Sequence, residues 1–104
     1  MSVLVEFAMF PTDKGDSISE YVSRIIRIID ESNTPYKLTS MGTIFEVETL
    51  EQAFDIINGA YKQLESDCNR VYSTIKLDIR KGKSGRIIQK IESVEKRLSK
   101  KLNL

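Results

Sequence analysis

Thr39-Ser40-Met41-Gly42-Thr43-Ile44-Phe45-Glu46-Val47 is the stretch on which the fold turns. Both flanks are extended and β-prone, and a glycine sits where they meet. The stretch therefore reads as two strands hinged at Gly42, where a glycine can take the positive φ of a tight turn or bulge. Ser40 and Thr43 place hydroxyls on strands that are otherwise apolar, and a buried hydroxyl needs a hydrogen-bond partner. Small polar groups interrupting apolar strands are what a binding pocket requires.

Working outward, Tyr36 to Met41 is the strand before the hinge and Thr43 to Val47 the strand after it. Further upstream, Val3 to Phe10 is nearly all apolar and reads as a central strand, with Val3, Val5, Phe7 and Met9 on one face. Leu4, Glu6, Ala8 and Phe10 share the other face, where an acid needs a partner. Pro11 stops that strand. Ser17-Ile18-Ser19-Glu20 fits a capping box for a helix that carries Ile18, Val22, Ile25, Ile26 and Ile29 at core spacing. Downstream, Thr49-Leu50-Glu51-Gln52 is a second capping box, followed by a stripe of Leu50, Ala53, Phe54, Ile57, Ala60, Tyr61 and Leu64. Arg70 to Arg80 alternates as a fourth strand: Val71, Ser73, Ile75, Leu77 and Ile79 face one way, Tyr72, Thr74, Lys76, Asp78 and Arg80 the other.

A third helix, over about residues 86–101, sets Ile87, Ile88, Ile91, Val94 and Leu98 against a polar side with Lys90, Lys96, Arg97 and Lys100. The order is βαββαβ plus a C-terminal helix. Right-handed connections place the first and third strands centrally, so the fold class is α+β, a ferredoxin-like sandwich. Residues 1–104 form one domain, with a core over about 2–82. The first two helices cover one sheet face. The other face should carry Leu4, Ala8, Phe10 and Ile44 beside Glu6, Glu46, Thr74 and Lys76. That face is too apolar to stay in water and the third helix shields only part of it, so we expect a homo-oligomer.

Composition narrows the function. The 104 residues include no histidine, no tryptophan and one cysteine. A Ser–His or Cys–His nucleophile is therefore impossible, as are a structural zinc site and an internal disulfide. Any catalysis would rest on carboxylates, lysine or tyrosine. Residues 1–69 carry 12 acids and 5 bases, residues 70–104 carry 11 bases and 3 acids. The basic residues lie within an amphipathic pattern and not in a disordered arm, so nucleic acid is not the expected partner. The third strand offers Phe45 alone and no RNP1-like pattern, against RNA stacking. Met9 to Asp13 lacks the arginine of a phosphate-cradling loop. No apolar run spans a bilayer and the N-terminus does not look like a signal peptide, so a cytoplasmic location and no membrane partner are expected.

Several segments together resemble the small thiamine-binding-protein family. They are Met9-Phe10-Pro11, Gly15-Asp16-Ser17-Ile18-Ser19-Glu20-Tyr21-Val22, the run from Tyr36 to Glu46, Arg70-Val71, and Ile75-Lys76-Leu77-Asp78-Ile79-Arg80. The resemblance covers nearly the whole chain. It implies a tetramer that binds thiamine or its hydroxymethylpyrimidine half without turnover; with no histidine and no metal motif in the sequence, no cofactor or metal is expected. It places Thr43 and Glu46 at the family's motif positions, with Ser17 and Ser19 at the helix start. Together with Ser40 these are the candidate ligand-binding residues; hydroxyls can satisfy an aminopyrimidine, and a carboxylate can pair with a protonated ring nitrogen. Phe7, Phe45 or Tyr21 would flank the ring. Strand parity sends Thr43 and Glu46 to opposite faces unless the Gly42 hinge breaks the alternation. The competing reading is a regulatory or structural assembly module with no small ligand.

Overall fold

The computed structural model describes residues 1–103, apart from the side chains of residues 89 and 90, so Lys90 on the expected polar face lies outside the described residues. Apolar alternation along β1 (Ser2–Pro11) puts Val3, Val5, Phe7 and Met9 into the core, all buried, while Leu4, Ala8 and Phe10 on the other face are only half-buried. β1 is flanked by β3 (Gly42–Val47) and β4 (Val71–Arg80), and β2 (Tyr36–Thr39) pairs outside β3. The sheet runs β2-β3-β1-β4, antiparallel throughout, as the ferredoxin-like order requires.

Helices α1 (Ser19–Glu31) and α2 (Leu50–Glu65) cover the core face. Ile25 and Ile29 of α1 and Ala53, Ile56, Ile57, Ala60 and Leu64 of α2 pack on β1 and β3. Phe7 and Phe45, neighbours across the β1–β3 pair, meet edge to face with centroids 6.4 Å apart. Outside the core, Arg24 ties the two helices together: it bonds both carboxylate oxygens of Asp67 (3.0 and 3.1 Å), the Gln63 carbonyl (3.2 Å) and Glu20 of its own helix (3.0 Å).

The second capping box forms as expected. Thr49 Oγ1 accepts the Gln52 N–H at 3.1 Å, and the Thr49 N–H is answered by Gln52 Oε1 at 3.1 Å. The first does not form. α1 begins at Ser19, so Ile18 occupies the N-cap without a side-chain bond, and Ser17 stands one residue too early. The Tyr21 and Val22 N–H groups donate to the Ile18 carbonyl, both at 3.0 Å, and Glu20 turns forward to Arg24. The half-buried Ile18 instead turns towards the cavity between α1 and the β2–β3 hairpin.

The last helix, α3 (Arg86–Leu98), crosses the open face of the sheet near β1 and β3 and ends short of residue 101, at a left-handed Ser99 with φ 56°. It shields that face only in part: Glu6, Tyr72, Thr74 and Lys76 there stay exposed, as do Ile88, Val94 and Leu98 of α3 itself. β4 is an open edge: every residue after Val71 is exposed, including Ile75, Leu77 and Ile79 on the core-facing side. Among the described residues no helix is long and apolar enough to cross a membrane.

Candidate functional site

The β2–β3 hairpin closes with Thr39 opposite Gly42 and a turn at Ser40-Met41. The Thr39 side chain holds that turn. Its Oγ1 accepts the Met41 and Gly42 N–H groups at 3.3 and 3.2 Å and donates to the Gly42 carbonyl at 2.8 Å. Gly42 is not in the left-handed region. Its glycine character is a matter of room, because a Cβ there would lie 3.1 Å from the Phe7 carbonyl oxygen of β1. The hinge therefore does not break the alternation. Thr43 pairs with Phe7 on the core face, and Glu46 pairs with Leu4 on the open face.

A cavity of about 280 Å³ lies between this hairpin, the end of β1 and the start of α1. Phe7, Ile18, Val22 and Ile26 supply much of its apolar wall, and Thr39, Ser40 and Thr43 supply its hydroxyls. Thr43 is 3% exposed, whereas Met41 is 88% exposed. The pocket is apolar inside, carries a buried threonine on one wall and has a methionine on the turn beside it.

The five expected site residues thus divide. Ser40 and Thr43 share the hairpin cavity. Ser17 and Ser19 are exposed at the entry to α1, and the isoleucine between them lines the cavity instead. Glu46 belongs to a different place. Ser2 Oγ donates to its Oε2 at 2.6 Å, and the Ile87 N–H at the start of α3 donates to its Oε1 at 3.4 Å. α3 follows a left-handed Gly85 with no side-chain cap of its own, so a carboxylate from β3 serves its N-terminus. Burial pushes the Glu46 carboxyl up. The Ser2 hydroxyl, the Arg86 and Ile87 N–H groups and the Arg86 charge outweigh that and hold it below the usual carboxylate range.

Arg86 is the residue sequence reasoning missed. It is 7% exposed; its Nε donates to Ser2 Oγ at 3.0 Å, Nη1 to Asp78 Oδ2 at 2.9 Å, and Nη2 to the Ser2 carbonyl at 3.2 Å and to the Asp78 carbonyl. A signal was available, since a basic side chain in the first turn opposes the helix dipole and calls for acids nearby. A larger cleft of about 840 Å³ opens beside this cluster, lined by Glu46, Glu48, Glu92, Glu95, Lys37 and Lys101 among apolar residues of α3.

The remaining candidates resolve structurally. Glu6 and Lys76 pair across β1 and β4 at 3.5 Å, both well exposed, while Glu46 is not with them. Of the three aromatics considered for the ring, Phe45 lies in the core, Tyr21 sits beneath the Arg24 guanidinium at 4.8 Å, and Phe7 lines the hairpin cavity. Cys68 is buried, and burial together with the neighbouring Asp67 pushes its thiol up, the state of an inert cysteine. Among the described residues no group of three or more His, Cys, Asp or Glu is arranged to hold a metal ion.

This architecture is a ferredoxin-like α+β domain with a small hydroxyl-bearing pocket at its central hairpin. The family model described as thiamine-binding protein matches residues 5–95. The chain belongs to that family. A UPF0045 protein of Mycobacterium bovis is 32% identical over 98 residues, covering 94% of this chain and 96% of the relative. The Bacillus subtilis UPF0045 protein YqgV is 33% identical over 87 residues, 79% of this chain and 83% of that one. The crystal structure of a hypothetical protein from Methanocaldococcus jannaschii superposes with a TM-score of 0.81 at 29% identity, over 89% of this chain and 95% of the other. A Thermotoga maritima protein proposed to act in thiamine biosynthesis or salvage has the same fold, with a TM-score of 0.78 at 21% identity over 90% and 99% of the two chains.

Proposed function

We propose that this protein binds thiamine, or its hydroxymethylpyrimidine half, in the hairpin pocket, without turnover, as a homo-oligomer in the cytoplasm. The observation that carries the reading is the cavity between the β2–β3 hairpin and α1, with the Thr43 side chain buried in an otherwise apolar wall. Membership of the thiamine-binding protein family and the role proposed for the Thermotoga relative support the choice of ligand. At about 280 Å³ the space lies just below the usual range for a drug-sized ligand and suits a single six-membered ring. The pyrimidine fits inside, stacked near Phe7 with its amine and ring nitrogens on Thr43 and Ser40. The thiazolium of intact thiamine would then project past Met41 and Leu38. No carboxylate lines this pocket, so the ring binds as a neutral base.

The surface supports self-association. Leu38, Met41, Ile75, Leu77, Ile79, Ile88 and Leu98 are more exposed than a monomer of this size favours. A second reading seats the cationic ring in the cleft beneath α3, where four glutamates give it a negative wall. Two lysines and the prior commitment of Glu46 to α3 weaken it. Isothermal titration with hydroxymethylpyrimidine and with thiamine separates the readings. Heat with either ligand, reduced roughly three- to tenfold in affinity by Thr43→Val and unchanged by Glu46→Gln, is the expected result. The reverse dependence would move the site to α3. No heat with either ligand would leave an assembly module.

A further inference from the structure

Phe7, Thr43 and Leu38 stand in one row across β1, β3 and β2. The hairpin pocket therefore has a buried end at Phe7 and Thr43 and an open end at Leu38, which is 55% exposed. Met41 borders the same open end from the turn. Of the large apolar side chains exposed among the described residues, Leu38 and Met41 alone line this cavity, and none of the described lining residues carries a charge. The turn's backbone is held, because the Met41 and Gly42 N–H groups both donate to Thr39 Oγ1. The Met41 thioether, by contrast, stands out in solvent at 88% exposed. Methionine is unbranched, flexible and polarizable, and its sulfur makes favourable contacts with aromatic rings. At the mouth of an apolar pocket, such a side chain gains from any flat group that covers it.

We propose that Met41, helped by Leu38, selects what the ligand carries beyond its pyrimidine ring. The proposal rests on the hairpin-pocket reading above and chooses among the ligands that reading allows. With the ring seated against Phe7 and Thr43, the substituent on its exocyclic methylene lies at the rim. That substituent is what distinguishes three ligands: a hydroxyl in hydroxymethylpyrimidine, a thiazolium in thiamine, and a phosphate in the phosphorylated alcohol. A thiazolium presents a flat aromatic face, against which the Met41 sulfur and the Leu38 methyl groups can fold. A hydroxyl covers neither side chain. A phosphate brings its negative charge to a rim with no cation among its described lining residues, and gives up water there without compensation. The order of affinity is therefore thiamine, then hydroxymethylpyrimidine, then hydroxymethylpyrimidine phosphate. The rim favours the two-ring ligand over its pyrimidine half and rejects the phosphorylated half.

Isothermal titration of the full chain with the three ligands tests this, the readout being the ratios of their affinities. The wild type should hold thiamine roughly three- to tenfold more tightly than hydroxymethylpyrimidine. It should hold the phosphate ester about tenfold more weakly than the free alcohol, or worse. Met41→Ala should lower the thiamine-to-hydroxymethylpyrimidine ratio by roughly threefold or more. Met41→Lys should lower the affinity for thiamine and raise that for the phosphate ester. Because the Met41 side chain is exposed, both variants should keep the wild-type urea midpoint. Val94→Ala, which trims an exposed apolar side chain of α3 that does not line the pocket, should leave the ratios unchanged. Three results overturn the selection while the pocket reading stands: a ratio unmoved by Met41→Ala, one moved equally by Val94→Ala, or a wild type that binds ester and alcohol equally. No heat with any of the three ligands overturns both.

Discussion

Thr43 and Glu46 sit three residues apart on one strand, yet the structure puts them to opposite uses. Thr43 faces the helices, its side chain almost fully buried in the wall of a small apolar cavity. Glu46 faces the open side and is consumed by the protein itself, bonded to Ser2 and to the start of α3. A polar group already satisfied by its own chain holds the fold together; one that opens on a cavity is placed for something else. The two ends of β3 should therefore respond differently to substitution, one in stability and the other in affinity.

The largest effect is expected at Arg86. Arg86→Ala removes the cation from a buried cluster that holds Asp78, Ser2 and, through them, Glu46. A loss of about 3 kcal/mol is expected from urea midpoints, with α3 becoming sensitive to limited proteolysis before the sheet does. Glu46→Gln keeps the shape and loses the charge, at a cost of about 2 kcal/mol. This contribution is pH-dependent with a defined sign. Folding lowers the Glu46 carboxyl below its ordinary value, so its stabilisation is present above the carboxylate range and is lost as pH falls through the lowered value. The wild-type and Glu46→Gln denaturation midpoints should converge in acid and diverge above it.

Gly42→Ala tests the hinge. A Cβ 3.1 Å from the Phe7 carbonyl must push β3 from β1, costing about 1 kcal/mol and weakening ligand binding with it. Thr43→Val should have the smallest effect on stability, within about 0.5 kcal/mol, because removing a hydroxyl from an apolar wall strands no partner. Its effect should appear in the calorimeter and not in the melt. If Thr43→Val unfolds the protein while Glu46→Gln abolishes binding, the contrast between the two ends is inverted.

Much of this was legible in the chain. The alternation of β1 and β4 and the Thr49–Gln52 box are local patterns, and the βαββαβ order with right-handed connections leaves few topologies. Parity alone separated Thr43 from Glu46, and the observed register keeps them apart. What escaped depends on partners distant in sequence. The Glu46 carboxylate meets a backbone N–H 41 residues away, and Arg86 reaches Ser2 across 84. No spacing rule announces such a contact. Ser17 fits a capping pattern, yet α1 starts only at Ser19, with Ile18 at the N-cap. The sequence suggests that Gly42 serves for its freedom of φ, whereas in the fold the reason for it is the Phe7 carbonyl on the neighbouring strand. The hairpin residues of the pocket are nameable because hydroxyls on apolar strands stand out, and the start of α1 is expected beside them; that Ile18, Val22 and Ile26 face the cavity in place of Ser17 and Ser19 required the fold.

The most direct test is a crystal structure grown with hydroxymethylpyrimidine. The account predicts planar density between Phe7 and the α1 side chains, with a ring nitrogen or the amine within hydrogen-bonding distance of Thr43 Oγ1. Density against Glu46 beneath α3, or a hairpin pocket closed by Ile18 and Met41 at saturating ligand, would contradict it.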